Sequence, residues 1–132
     1  MRPLGKGLQV LERLQARHRR GLKSLWAAGT LIILILSLLP KDIMIPEPPF
    51  SDKIAHFLAY GAVTWVGAIA ASTLKRRVYL GLAMLALGIL LEVAQAFVPG
   101  RTPEMFDGVA NLGGVAGGIF LAQWQRRRQV RT

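Results

Sequence analysis

The sequence predicts an all-α protein, a bundle of four membrane-spanning helices with both termini in the cytoplasm. A short basic amphipathic helix ahead of the first span is a further candidate element. Three observations carry this. Four apolar runs are long enough, or nearly so, to cross the ~30 Å hydrocarbon layer as helices. Of the 132 residues, 52% are hydrophobic and only 18% charged, with mean hydropathy +0.38, against roughly 25% charged in soluble domains. The basic residues sit in blocks between the apolar runs. A soluble bundle would need polar stripes at helical spacing, and Leu80 to Leu91 holds no charge at all.

The expected organisation is a basic cytoplasmic segment over 1–23, a four-helix membrane domain over 24–125 and a basic tail over 126–132. Its spans lie at about 24–39, 54–73, 78–98 and 103–124. The first is short, but Lys23 can snorkel from its inner end. No A-x-A-like cleavage site follows Leu39, so this span reads as uncleaved. Within the leader, Leu8 to Arg17 has apolar residues near helical spacing with basic residues between them, suited to anionic headgroups. A plain topology signal explains it equally well.

Loop charge sets the orientation. The leader (Arg2 through Lys23), the Lys75-Arg76-Arg77 connection and the tail carry fourteen basic residues against Glu12 alone. The other side has Lys41, Lys53 and Arg101 against Asp42, Glu47, Asp52, Glu104 and Asp107. This topology accounts for the net charge of +10 without nucleic acid, and none is expected as a partner. The absence of cysteine excludes disulfides, Cys-based zinc sites and a thiol nucleophile.

Pro40, Pro46, Pro48 and Pro49 make the first outer loop stiff and extended, and Ser51 is the expected N-cap of span two. Pro99-Gly100 marks a turn. Thr102 and Pro103 read as N-cap and first position of the fourth helix. Gly113, Gly114, Gly117 and Gly118 form overlapping Gly-x-x-x-Gly motifs, for close packing inside the bundle or, less favoured, a homodimer seam.

The polar residues gather at one depth. Asp52, His56 and Tyr60 are four apart and share a face, with Lys53 about 60° from His56. Glu92 and Gln95 share a face of span three. Asp107 and Asn111 open span four, and Arg101 hangs in the loop before it. An ionised carboxylate at the depth of Glu92 costs on the order of 3 kcal/mol on insertion scales. Glu92 should therefore be protonated, or face inward to His56, Lys53, Arg101 or a wet cavity. The bland alternative is a hydrogen-bonded network that only fixes helix register.

These residues resemble a family. Asp52-Lys53-Ile54-Ala55-His56-Phe57-Leu58-Ala59-Tyr60 looks like the "DKxxHFxxY" opening of VanZ-like membrane proteins. Glu92-x-x-Gln95 is similar to that family's E-x-x-Q. Pro99-Gly100-Arg101 followed by Asp107-x-x-x-Asn111-x-x-Gly114 resembles its closing motif. The match covers about Ser51 to Leu121; the leader and first span show no comparable motif. The resemblance implies a small multi-pass protein of the bacterial cytoplasmic (inner) membrane, in a family whose founding member is associated with resistance to teicoplanin. A phosphotransbutyrylase label carried by some relatives finds no phosphate-binding glycine loop here. Glu104 departs from the pattern by adding a carboxylate between Arg101 and Asp107, which leaves cation binding by this acidic loop open.

The expected function is a pocket facing the outer leaflet that binds or modifies an anionic lipid-linked or cell-envelope amphiphile. His56, Glu92 and Asp107 are the candidate acid/base groups. Asp52, Lys53, Tyr60, Gln95, Arg101 and Asn111 are the candidate substrate contacts, with Lys53 and Arg101 on phosphate or carboxylate. No nucleophile is identifiable, so catalysis stays open. One imidazole is thin support for a metal, so no metal or cofactor is expected. An accessory protein with a structural polar cluster is the alternative. A dimeric transporter ranks last, because the polar residues all lie toward one end.

Overall fold

Apolar stretches broken by proline, glycine and charged turns form four helices in the computed structural model, which describes residues 6–43 and 48–130. Arg2, Pro46, Glu47 and Arg131, given loop or topology roles above, lie outside the described residues. The helices are α1 (Lys6–Leu38), α2 (Ser51–Ala70), α3 (Leu74–Gln95) and α4 (Met105–Val130), with one 3-10 turn at Lys41–Ile43. Each α-helix contains a stretch long and apolar enough to cross a membrane, the architecture of a multi-pass membrane protein.

Burial is inverted relative to a soluble bundle. Only 11% to 33% of the residues in each apolar stretch are buried, so most of the apolar surface faces outward. Ile54, Leu58, Leu82, Ile89 and Leu90 are exposed, while Arg77, Gln95, Asp107 and Asn111 are buried. In lipid this is the stable arrangement, because an unpaired polar group costs several kcal/mol there.

The helix ends show how local chemistry shifted the expected boundaries. The basic stretch over 8–17 is helical and runs without a break into the first span; at 33 residues, α1 is about 50 Å long. Ser51 is not the N-cap of α2 but its first residue, and its Oγ donates to Pro48 O at 2.7 Å. Phe50 occupies the cap position with φ 66°, since Pro48 and Pro49 hold φ near −65° and leave the reversal to the next residue. Lys75-Arg76-Arg77 is no loop. It forms the first turn of α3, capped by Thr73, whose side chain accepts from Arg76 N at 3.2 Å. The fourth helix begins at Met105 rather than at Pro103. The α1–α2 connection opens with a 3-10 turn, Ile43 N donating to Pro40 O at 3.3 Å, in place of uninterrupted extended chain.

Packing centres on α2, which touches the other three helices and meets α4 most extensively. Glycine makes that approach possible. A Cβ on Gly114 would collide with Phe57 O of α2, and one on Gly118 would lie 2.5 Å from Gly61 O and 2.9 Å from Trp65 N. Gly114 and Gly118 are thus covered by α2, as the in-bundle reading expects. Gly113 lies against the Phe57 ring, and Gly117 has open space around it. Beside this seam Ile33, Tyr60, Met84, Leu91 and Val115 form the apolar core.

Candidate functional site

The N-terminal turns of α2 and α4 and the C-terminal turn of α3 meet at one end of the bundle, bringing together most of the residues singled out by sequence. His56 is held by Asn111, whose Oδ1 lies 3.0 Å from Nδ1. It also stacks on Tyr60, with ring centroids 6.3 Å apart and planes 8° from parallel. On its other side, Nε2 faces Asp107 Oδ2 at 3.9 Å. Glu92 completes the group, with one ligating atom each from His56, Glu92 and Asp107 lying within 4.8 Å of one another. Gly88 on α3 makes room for this packing, since a Cβ there would sit 3.0 Å from Asn111 Nδ2 and 3.3 Å from the Tyr60 hydroxyl.

Lys53 sits among three carboxylates. Its Nζ lies 2.9 Å from Asp52, 2.5 Å from Glu104 and 3.1 Å from Asp107. Glu104 also ties the α3–α4 connection to α3, its backbone N–H donating to the Glu92 carboxylate at 3.2 Å. That bond gives the amide just ahead of α4 an acceptor, which the helix itself does not provide. Among the described residues, the partners of Lys53 are Asp52, Glu104 and Asp107 rather than Glu92. Three carboxylates (Asp52, Glu104 and Asp107) thus share one ammonium, while Glu92 accepts the Glu104 amide.

Two expected substrate contacts are hydrogen-bonded to α1. Arg101 donates from Nε to Leu39 O at 3.0 Å and from an Nη to Leu36 O at 2.9 Å. Gln95 donates from Nε2 to Ser37 O at 3.0 Å. Both satisfy carbonyls at the C-terminal end of α1 that have no intrahelical partner. They bind α1 to the site.

A cleft of about 190 Å³ opens between α1 and α2 beside His56, with Ile33, Leu36, Ala55 and Ala59 as apolar walls and Asp52, His56 and Arg101 as polar groups. A larger hollow of about 540 Å³ lies at the opposite end, with Arg19, Lys23 and Arg76 on its wall. Its basic character suits an anionic membrane surface, and it holds none of the acid/base candidates.

The opposite end also holds a residue that sequence reading missed. Arg77, only 2% exposed, donates to Ala68 O at 3.0 Å, to Ala71 O at 3.2 Å and to Gln123 of α4. Arg126 donates to Ser72 O at 2.6 Å. The available signal was the short α2–α3 connection, because an arginine one turn into α3 is within reach of the last carbonyls of α2.

No family model, curated protein or solved structure matches this chain.

Proposed function

We propose that this is a VanZ-like protein of the bacterial cytoplasmic membrane, with its termini inside, that binds an anionic cell-envelope amphiphile at the outer end of the bundle. The observation that carries this reading is the α1–α2 cleft, apolar on its walls and polar at His56, Asp52 and Arg101. Its volume is below the ~300 Å³ of a typical small ligand pocket. It therefore takes a headgroup and the first few methylenes, with the remaining chain in the bilayer. A link to glycopeptide resistance follows from the motif resemblance alone.

The test is native mass spectrometry of the purified protein with its co-purified lipids. A specific envelope amphiphile, lost when Ala55→Phe fills the cleft, supports the reading. Recovery of bulk phospholipid only, unaltered by Ala55→Phe, overturns it.

A second reading has its own support. Lys53 is enclosed by three carboxylates, and Gln95 and Arg101 are committed to α1 carbonyls. Such ties favour an accessory membrane protein whose polar cluster fixes helix register and whose open Gly117 surface docks another helix. Under that reading Glu92→Gln lowers membrane abundance and activity in proportion. Under the first, activity falls while abundance holds.

A further inference from the structure

Arg19, Lys23 and Trp26 stand at i, i+4 and i+7 of α1 and so share one face. All three line the hollow of about 540 Å³ at the arginine end, with Gly67 of α2 and Arg76 and Leu80 of α3. That volume lies within the ~300–1,000 Å³ of small-ligand pockets. No acidic residue lines the hollow. Arg19 and Lys23 are exposed and, among the described residues, pair with no carboxylate. Arg76 donates from one Nη to Ser72 Oγ at 2.9 Å and likewise has no carboxylate partner among the described residues. Gly67 leaves room for the Trp26 indole, since a Cβ there would lie 2.6 Å from Cδ1 and 3.0 Å from Nε1. Nε1 itself is buried without an acceptor among the described residues. The wall of the hollow therefore carries three cations and a spare donor. It also grades from charge to hydrocarbon. Trp26 is seven residues beyond Arg19, about 10 Å along the helix, and both belong to the apolar stretch Glu12–Leu38.

We propose that this hollow binds one anionic phospholipid. Arg19, Lys23 and Arg76 hold the headgroup phosphate through charge-assisted hydrogen bonds. The glycerol esters lie beside Trp26, and the start of an acyl chain runs along Ala27 and Leu80, which complete the apolar wall. The hollow also borders the N-terminus of α3, because Ser72 and Arg76 flank its cap residue Thr73, and a helix N-terminus favours anions. A free phosphate would use the cations and leave the apolar wall empty, whereas a lipid uses both. A net-negative headgroup is favoured over a zwitterionic one, because a choline would bring a fourth cation to a wall that has no carboxylate to receive it. The site lies at the end away from His56 and does not require an amphiphile in the α1–α2 cleft.

The experiment uses the full chain, delipidated in neutral detergent and titrated with phosphatidylglycerol or phosphatidylcholine. Native mass spectrometry counts the lipid bound at each step. One phosphatidylglycerol per chain is expected, held about tenfold more tightly than phosphatidylcholine. The double variant Arg19→Gln/Lys23→Gln should weaken phosphatidylglycerol at least tenfold, about what one charge-assisted hydrogen bond contributes. Arg127→Gln removes an exposed charge outside the hollow, and Ala55→Phe fills the cleft at the other end; each should leave the affinity within twofold. Millimolar inorganic phosphate should not displace the lipid. Circular dichroism checks that each variant is folded, and if the double variant is not, the ratio between the two lipids on wild type still decides. Equal affinity for the two lipids overturns the proposal. So does an Arg127→Gln loss as large as that of the double variant, which would mean diffuse attraction. Loss in Ala55→Phe would put the lipid in the cleft, and displacement by inorganic phosphate would make this a free-anion site; either result overturns it.

Discussion

The two ends of the bundle solve opposite electrostatic problems. At the arginine end, Arg77 and Arg126 donate to backbone carbonyls that the end of α2 leaves without partners. These two guanidinium groups meet backbone acceptors at the α2–α3 connection, so charge and carbonyls satisfy one another. At the carboxylate end, side chains chiefly meet other side chains: Lys53 is shared by Asp52, Glu104 and Asp107, and His56 lies between Asn111 and Asp107. A polar cluster that completes the backbone's hydrogen bonds is structural. A cluster tied together through one shared lysine instead depends on the balance of its own side-chain charges.

The contrast breaks first at Arg77 if the arginine end is not structural. Arg77→Ala strands two carbonyls and Gln123 in a buried site and should cost about 3 kcal/mol, more than any other single change at either end. Thermal unfolding in detergent measures it, and any activity should fall only in step with folded protein. Loss of activity with unchanged stability would move the functional site to the wrong end.

Between the two ends lies the glycine seam. Gly114→Ala drives a methyl into the α2 backbone, which cannot move as a side chain would, and should cost about 2 kcal/mol. Gly117→Ala, with nothing within 4 Å, should change stability by less than about 0.5 kcal/mol. The pair separates packing inside the bundle from a docking surface: association lost in Gly117→Trp at unchanged stability would assign the open face to a partner.

Much of this was legible in the sequence because helical spacing is a local property. The i, i+4 steps from Asp52 to His56 to Tyr60 and from Asp107 to Asn111 put the right side chains on inward faces. The long apolar runs located α2 and α3 to within a few residues, but α1 begins at Lys6 rather than near 24, and α4 runs on to Val130 rather than ending near 124. Other features depended on which helix lies next door. Nothing in the spacing of α3 says that Gln95 reaches Ser37, or that Arg101 reaches Leu36 and Leu39, because those acceptors belong to the end of α1. Arg77 was hidden for the same reason, read as a loop charge when it is the buried cap of its neighbour. The role of Glu104 was half visible. Its extra carboxylate stood out, but its 2.5 Å approach to Lys53 depends on α4 starting two residues later than its proline suggests.

Arg101 tests whether the carboxylate end also contains purely structural ties. Arg101→Ala removes two hydrogen bonds to α1 carbonyls at a partly exposed site, where water can replace them, and should cost about 1 kcal/mol. The expected signature is faster amide hydrogen exchange confined to the last turn of α1. Unchanged exchange there would show that these bonds do not anchor α1 to the site.

The smallest effect should come from Asp52. Its side chain is 38% exposed, and Lys53 keeps Glu104 and Asp107 when Asp52 is replaced. Asp52→Asn is also nearly isosteric, so packing is not disturbed. Exposed ion pairs contribute roughly 0–1 kcal/mol, and the surviving pairs should hold the change in stability below about 0.5 kcal/mol. Denaturation of wild type and variant side by side gives the difference directly. A loss comparable to that of Arg77→Ala would mean that Lys53 needs all three carboxylates to stay in place. The carboxylate end would then be as tightly balanced as the arginine end, and the distinction between a satisfied end and a charge-rich one would fail.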